Sequence, residues 1–172
     1  YAQEVGIGAN FSIYSETERN NIVKKSFQEC GFDDEKLLKS VKYHIANAKT
    51  EGLEPDAYEQ AYAGEPDIEE VTKVYRRYQK HLRENNALDF DDIILRTVEL
   101  LRDNKDIREK YAGRFLYSSI DEFQDTNSAQ FLLTNLLSVT HRNLMVVGDD
   151  DQSIYRFRGA TVENILGFDK EY

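Results

Sequence analysis

The sequence predicts an α/β chain, with a mainly helical part over residues 1–110 and part of a parallel sheet over 111–172. Three observations carry that expectation. Apolar residues recur at helical spacing in the first part, as in Leu37, Leu38, Val41, Ile45 and Ala48. After Gly113 two short apolar runs, "FLYSSID" (115–121) and "NLMVVGD" (143–149), flank the helix-like "NSAQFLLTNLLSV" (127–139). Strand, helix, strand over about thirty residues is a βαβ unit with parallel strands. Both runs also end in acids, and the carboxyl ends of strands are where open α/β sheets bind ligands.

Taken in order, "NFSIY" (10–14) reads as a short strand or extended entry. "SETERNNIVKKSFQECG" (15–31) is a helix, with Ser15 as N-cap and Gly31 past its end. Cys30 lies among its helix formers and reads as a small core residue rather than a reactive thiol. A second helix fits 34–50. Pro55 and Pro66 suit first-turn positions of the next two helices. The helix over about 67–85 places Val71, Val74, Tyr75, Tyr78 and Leu82 on one core-facing stripe. "LDFDDIILRTVELLRDN" gives a helix over 89–103, and "KDIREKYAG" a short one closed by Gly113.

Composition narrows the function classes. The chain has 172 residues, 40% of them apolar and 31% charged, which is the make-up of a globular protein with a core of its own. It has no apolar run of membrane-spanning length and no basic-then-apolar leader, so no membrane partner is expected. One cysteine fits a reducing, cytoplasmic compartment. Acids outnumber bases 32 to 22, and the net charge of −10 argues against a free-standing domain held on DNA by phosphate neutralisation. Residues 51–70 hold eight acids and no Lys or Arg, whereas Arg76, Arg77, Lys80 and Arg83 cluster on one helix and read as a solvated face. His44, His81 and His141 are scattered without zinc-ligand spacing.

The acids at the two strand ends carry the chemistry. A strand-end Asp can hold the hydration shell of Mg²⁺, which prefers oxygen ligands and keeps its waters. An adjacent Glu can orient or deprotonate a water attacking a phosphoryl group. The plainer alternative is that such acids cap the following helix. A two-metal nuclease site built from Asp121 and "DDD" (149–151) is a third reading, but it leaves Gln152 and its aromatic neighbours without a role and lacks a Lys or His.

"IDEFQDTN" (120–127) resembles the Walker B motif of superfamily 1 DNA helicases of the UvrD/Rep/PcrA type. "VVGDDDQSIYRFRGA" (146–160) resembles the next motif of that family at the expected distance, and "LDFDD" (88–92) a third element. Residues 10–87 resemble the family's helical subdomain (1B) in order and helical character. The resemblance implies a RecA-like, P-loop NTPase sheet, truncated here, with ATP and Mg²⁺ as cofactors. It implies that Asp121 binds the Mg²⁺, that Glu122 activates the hydrolytic water and that Gln152 senses the γ-phosphate. Tyr155 and Phe157 would stack on bases of single-stranded DNA, with Arg158 supporting their loop. Many family members have Trp at the position of Phe157. Phe90, in "LDFDD", is a candidate DNA-facing aromatic, with core packing as the alternative. Single-stranded and duplex-junction DNA are the implied partners, approached by a monomer or weak oligomer, with 3′-to-5′ polarity.

The phosphate loop G-x-x-x-x-G-K-[ST] does not occur in the sequence, and neither does any "GK". The expectation is therefore a piece of a longer helicase, inactive by itself, rather than a short protein that has lost its motor. A non-catalytic module that uses its helical surface to bind a partner protein or duplex DNA is the competing reading.

Overall fold

The computed structural model describes residues 1–152 and 168. The chain divides into two compact units, Tyr1–Ile93 and Ile94–Tyr172. The change from helical to α/β grammar in the sequence falls later, at about residue 110.

In the first unit, α1 (Glu16–Glu29) starts at Ser15, whose hydroxyl accepts from the Glu18 backbone N–H while the Glu18 carboxylate reaches back to the Ser15 N–H. This reciprocal box satisfies two donors that a helix start leaves open. Asp34 caps α2 (Glu35–Thr50) through Leu37 N. Pro55 opens α3 (Pro55–Ala61) at its first position, as expected. Pro66 does not do the same for α4 (Ile68–Glu84). Asp67 follows it in the left-handed region (φ 60°), and the helix begins at Ile68, the first buried member of the α4 stripe, so Pro66 stands outside the first turn.

Those stripes meet in one core. Val23 and Phe27 of α1, Val41 and Ile45 of α2, and Val74 and Tyr78 of α4 are all buried in it. Cys30 sits half-buried at its edge. Two two-residue strands, β1 (Ser12–Ile13) and β2 (Ala87–Leu88), pair in parallel and tie the entry segment to the exit of α4. On the outer side of α4 three of the four clustered basic residues are paired with acids. Arg76 bonds Asp56 and Glu59, Arg77 bonds Glu29, and Lys80 lies 3.7 Å from Glu84. That is a solvated face laced with ion pairs.

Helix α5 (Phe90–Asp103) crosses the division between the units. In the second unit its Leu95, Val98 and Leu101 are buried at helical spacing. Arg108 of α6 (Lys105–Ala112) donates to the free carbonyls of Leu101 and Arg102 at the end of α5, both at 2.9 Å. Strands β3 (Ser118–Ile120) and β4 (Leu144–Val146) pair in parallel with Ser118 opposite Leu144, and α7 (Ser128–Ser138) lies between them in sequence. The adjacent parallel strands expected near 115–121 and 143–149 are therefore present but shorter. Phe115, Leu116 and Tyr117 are exposed, Tyr117 by 82%.

Candidate active site

The carboxyl ends of β3 and β4 lie side by side because backbone pairing continues past the strands. Val147 N donates to Ile120 O at 2.8 Å, and Phe123 N donates to Val147 O at 2.9 Å. Asp121 and Glu122 fall between those two bonds and both are exposed. Their apolar neighbour Phe123 turns inward and is fully buried, its ring edge-on to Phe131 and to Phe168 at 5.7 Å. Burying Phe123 directs the acids outward.

Glu122 has φ 51° and ψ 41°, the left-handed region that non-glycine residues rarely occupy. Such strain costs on the order of 1 kcal/mol and persists where neighbours over-determine it, commonly at functional sites. The neighbours here are specific. Asp121 Oδ1 accepts from Glu122 N at 2.9 Å, and Gln124 Nε2 donates to Glu122 Oε2 at 2.8 Å. Gln124 is 1% exposed, and its Oε1 accepts from Asp149 N, beyond β4, at 3.0 Å. Asp149 then accepts from Asp151 N through Oδ1 at 3.0 Å and from Gln152 Nε2 through Oδ2 at 2.7 Å. Asp121, Glu122 and Gln152 are thus brought to one edge through Gln124 and Asp149.

The helix-cap alternative can be assigned residue by residue. Helix α7 is capped by Asn127, which forms a capping box with Gln130, so Asp121 and Glu122 are not its caps. Asp149 does serve as a local cap for the turn Asp150–Gln152. Asp125 is half-buried, and its Oδ1 has no hydrogen-bond partner among the described residues.

Among the described residues, Asp121, Glu122, Asp149 and Asp151 form no ion pair, and no group of three or more His, Cys, Asp or Glu is placed to hold a metal ion. A lone exposed carboxylate at a strand end fits a hydrated Mg²⁺ that draws its remaining ligands from water and a bound phosphate. It does not supply a closed all-protein cage.

Of the DNA-facing candidates, Phe90 is the first residue of α5, 63% exposed, and so not a core residue. Tyr155, Phe157 and Arg158 lie outside the described residues. Sequence reasoning missed Gln124. The available signal was an amide inside an acidic motif, a group able to donate to one partner and accept from another.

Comparison with known proteins gives a consistent set of relatives. The family model for the UvrD/REP helicase N-terminal domain matches residues 1–172. The chain is 41% identical over 169 residues to the ATP-dependent DNA helicase PcrA of Bacillus subtilis (strain 168), covering 98% of the chain and 23% of that relative. It is 40% identical over 172 residues to the PcrA of Staphylococcus aureus (strain Mu50 / ATCC 700699) and 37% identical over 171 residues to that of Leuconostoc citreum, covering 99% of the chain each time. The chain spans under a quarter of the length of these relatives, 23% in each case.

Proposed function

Because the chain belongs to the UvrD/REP helicase N-terminal domain family, we propose that it is part of an ATP-dependent DNA helicase and carries the acids that hydrolyse Mg-ATP. In this reading residues 1–110 form the helical subdomain and 111–172 part of the RecA-like motor core. The phosphate loop comes from sequence outside this chain. The observation that carries the proposal is Glu122 itself, a strained acid at the joined ends of two parallel strands with one carboxylate oxygen fixed by a buried amide.

Bound Mg-ATP supplies the electrophilic γ-phosphoryl group. Asp121 would hold the hydration shell of the metal through its exposed carboxylate. Glu122 Oε2 is tied to Gln124, which leaves Oε1 to accept a proton from the attacking water. Gln152 presents an uncharged amide that can donate and accept, suited to reading a γ-phosphate once its bond to Asp149 is exchanged. Tyr155 and Phe157 stack on single-stranded DNA with Arg158 in support, and exposed Phe90 offers a further ring.

In the full-length helicase, Glu122→Gln keeps the shape of the side chain and removes the proton acceptor. We expect nucleotide binding to persist while turnover falls by about 10²–10⁴-fold, the range for loss of a general base. A variant that keeps more than about a tenth of the wild-type kcat removes Glu122 from that role.

A further inference from the structure

We infer that Gln124 is a positioning residue that locks the base Glu122 to the loop bearing Gln152, so that the two strand ends move as one unit. The inference rests on the assignment of Glu122 above. Gln124 and Asp149 are 25 residues apart in sequence, and the Gln124 side chain spans the gap between the β3 and β4 termini. Its amide has a forced orientation, because the –NH₂ faces the Glu122 carboxylate at 2.8 Å and the carbonyl faces the Asp149 N–H at 3.0 Å. No carboxylate, hydroxyl or apolar side chain of that length can satisfy both neighbours. At 1% exposure water cannot readily replace either bond, so moving Glu122 or Asp149 alone orphans a buried polar atom.

The linkage continues outward. Asp149 holds Gln152 twice, through Oδ2 with the side-chain amide at 2.7 Å and through its carbonyl with the Gln152 N–H at 3.1 Å. A displacement of Gln152 therefore reaches Glu122 through two side chains. Gln124 touches neither nucleotide nor the attacking water in this scheme and acts by setting where the Glu122 carboxylate points relative to the Asp149 loop.

The test uses the full-length helicase with Gln124→Met, which keeps the volume and loses the bonds to Glu122 and Asp149, and Gln124→Glu, which keeps an acceptor for Asp149 N and loses the donor to Glu122. The readouts are kcat for DNA-stimulated hydrolysis, Kd for a fluorescent Mg-ATP analogue and the melting temperature. We expect kcat to fall about 10–100-fold in both variants while Kd changes by less than about threefold, the pattern of a misplaced catalytic group. In the Glu122→Gln background, Gln124→Met should lower the residual turnover no further, because residues acting as one unit are non-additive. If Gln124→Met does not fold, Gln124→Glu decides alone. Wild-type kcat in a folded Gln124 variant, or an undiminished effect of Gln124→Met in the Glu122→Gln background, overturns the inference while leaving the proposed function standing. Wild-type turnover in Glu122→Gln removes both.

Discussion

Lys49 carries its charge at a position with no side-chain exposure, which is tolerable only because its partners are complete. Its Nζ lies 2.6 Å from Asp89 Oδ2 and 2.7 Å from Asp92 Oδ1, and the Tyr78 hydroxyl donates to Asp89 Oδ2 at 2.6 Å. Burial pushes the Asp89 carboxyl up. The charge and hydrogen bond of Lys49, with the Tyr78 hydroxyl, outweigh that, and the net shift is downward. Burial and the same carboxylate push the Tyr78 hydroxyl up. Asp89 and Asp92 also accept from each other's backbone N–H at the start of α5. Lys49→Met therefore leaves buried Asp92 without its cation and Asp89 with only the more distant Arg19, at 3.7 Å. We expect a loss of about 3–5 kcal/mol, the usual cost of breaking a buried pair from one side, read as a lower urea midpoint at pH 7. A loss below about 1 kcal/mol, the scale of a surface pair, would mean that the site is wetter than its geometry. The sequence did not disclose this residue. Lys49 follows Ala48 at the end of an apolar stripe and looks like a last-turn lysine, while its partners stand 40 and 43 residues away. Gln124 was hidden for the same reason, since its second partner is 25 residues distant.

Between elements, α1 and α4 are clamped at one end by Glu29. Its Oε2 accepts from Arg77 Nε at 2.5 Å and lies 2.7 Å from His81 Nε2. The Arg77 hydrogen bond first, then that of His81, hold the carboxyl down from its usual 4.5 to about 2. A carboxyl lowered in the folded state stabilises fully above its unfolded value, and that contribution is lost as pH falls through the folded value. The stability difference between wild type and Glu29→Gln should therefore be largest above about pH 5, shrink as pH falls towards 2 and vanish only below that, and added salt should reduce it. Paired thermal melts across that range isolate this group from the other acids titrating there. A difference that does not change with pH would refute the clamp. Helices α2 and α4 were legible because each carries its own periodic stripe, and α1 because its cap Ser15 is a local signal. The pairing of β1 with β2 was not, because two residues joined to two others across 75 positions leave no pattern to read. Pro66 misled because a proline marks the approach to a helix without fixing whether it stands inside the first turn.

For the whole molecule, the decisive quantity is the charge offered to a triphosphate. Asp121, Glu122, Asp125, Asp149, Asp150 and Asp151 fall within 31 residues of sequence, in a chain whose net charge is −10. In phosphate-binding NTPases the backbone N–H groups of the loop and its Lys offset most of the ligand's charge. This sequence contains no G-x-x-x-x-G-K-[ST] to do so. Mg²⁺ could bridge one carboxylate to a phosphate, but it gives up its waters reluctantly and the bridge is weak. We therefore expect the 172-residue chain by itself neither to hydrolyse ATP nor to bind it with useful affinity. Single-stranded DNA should bind poorly for the related reason that phosphate contacts dominate such affinity and an acidic surface opposes them. Titration calorimetry with Mg-ATP, and a fluorescent oligothymidine titration at moderate salt, measure the two halves. Heats too small to fit below about 1 mM, equivalent to roughly −4 kcal/mol or weaker, are the expected result. Micromolar ATP binding, or turnover that disappears in Glu122→Gln, would show that the strand-end acids and their amide strap form a working site without a phosphate loop.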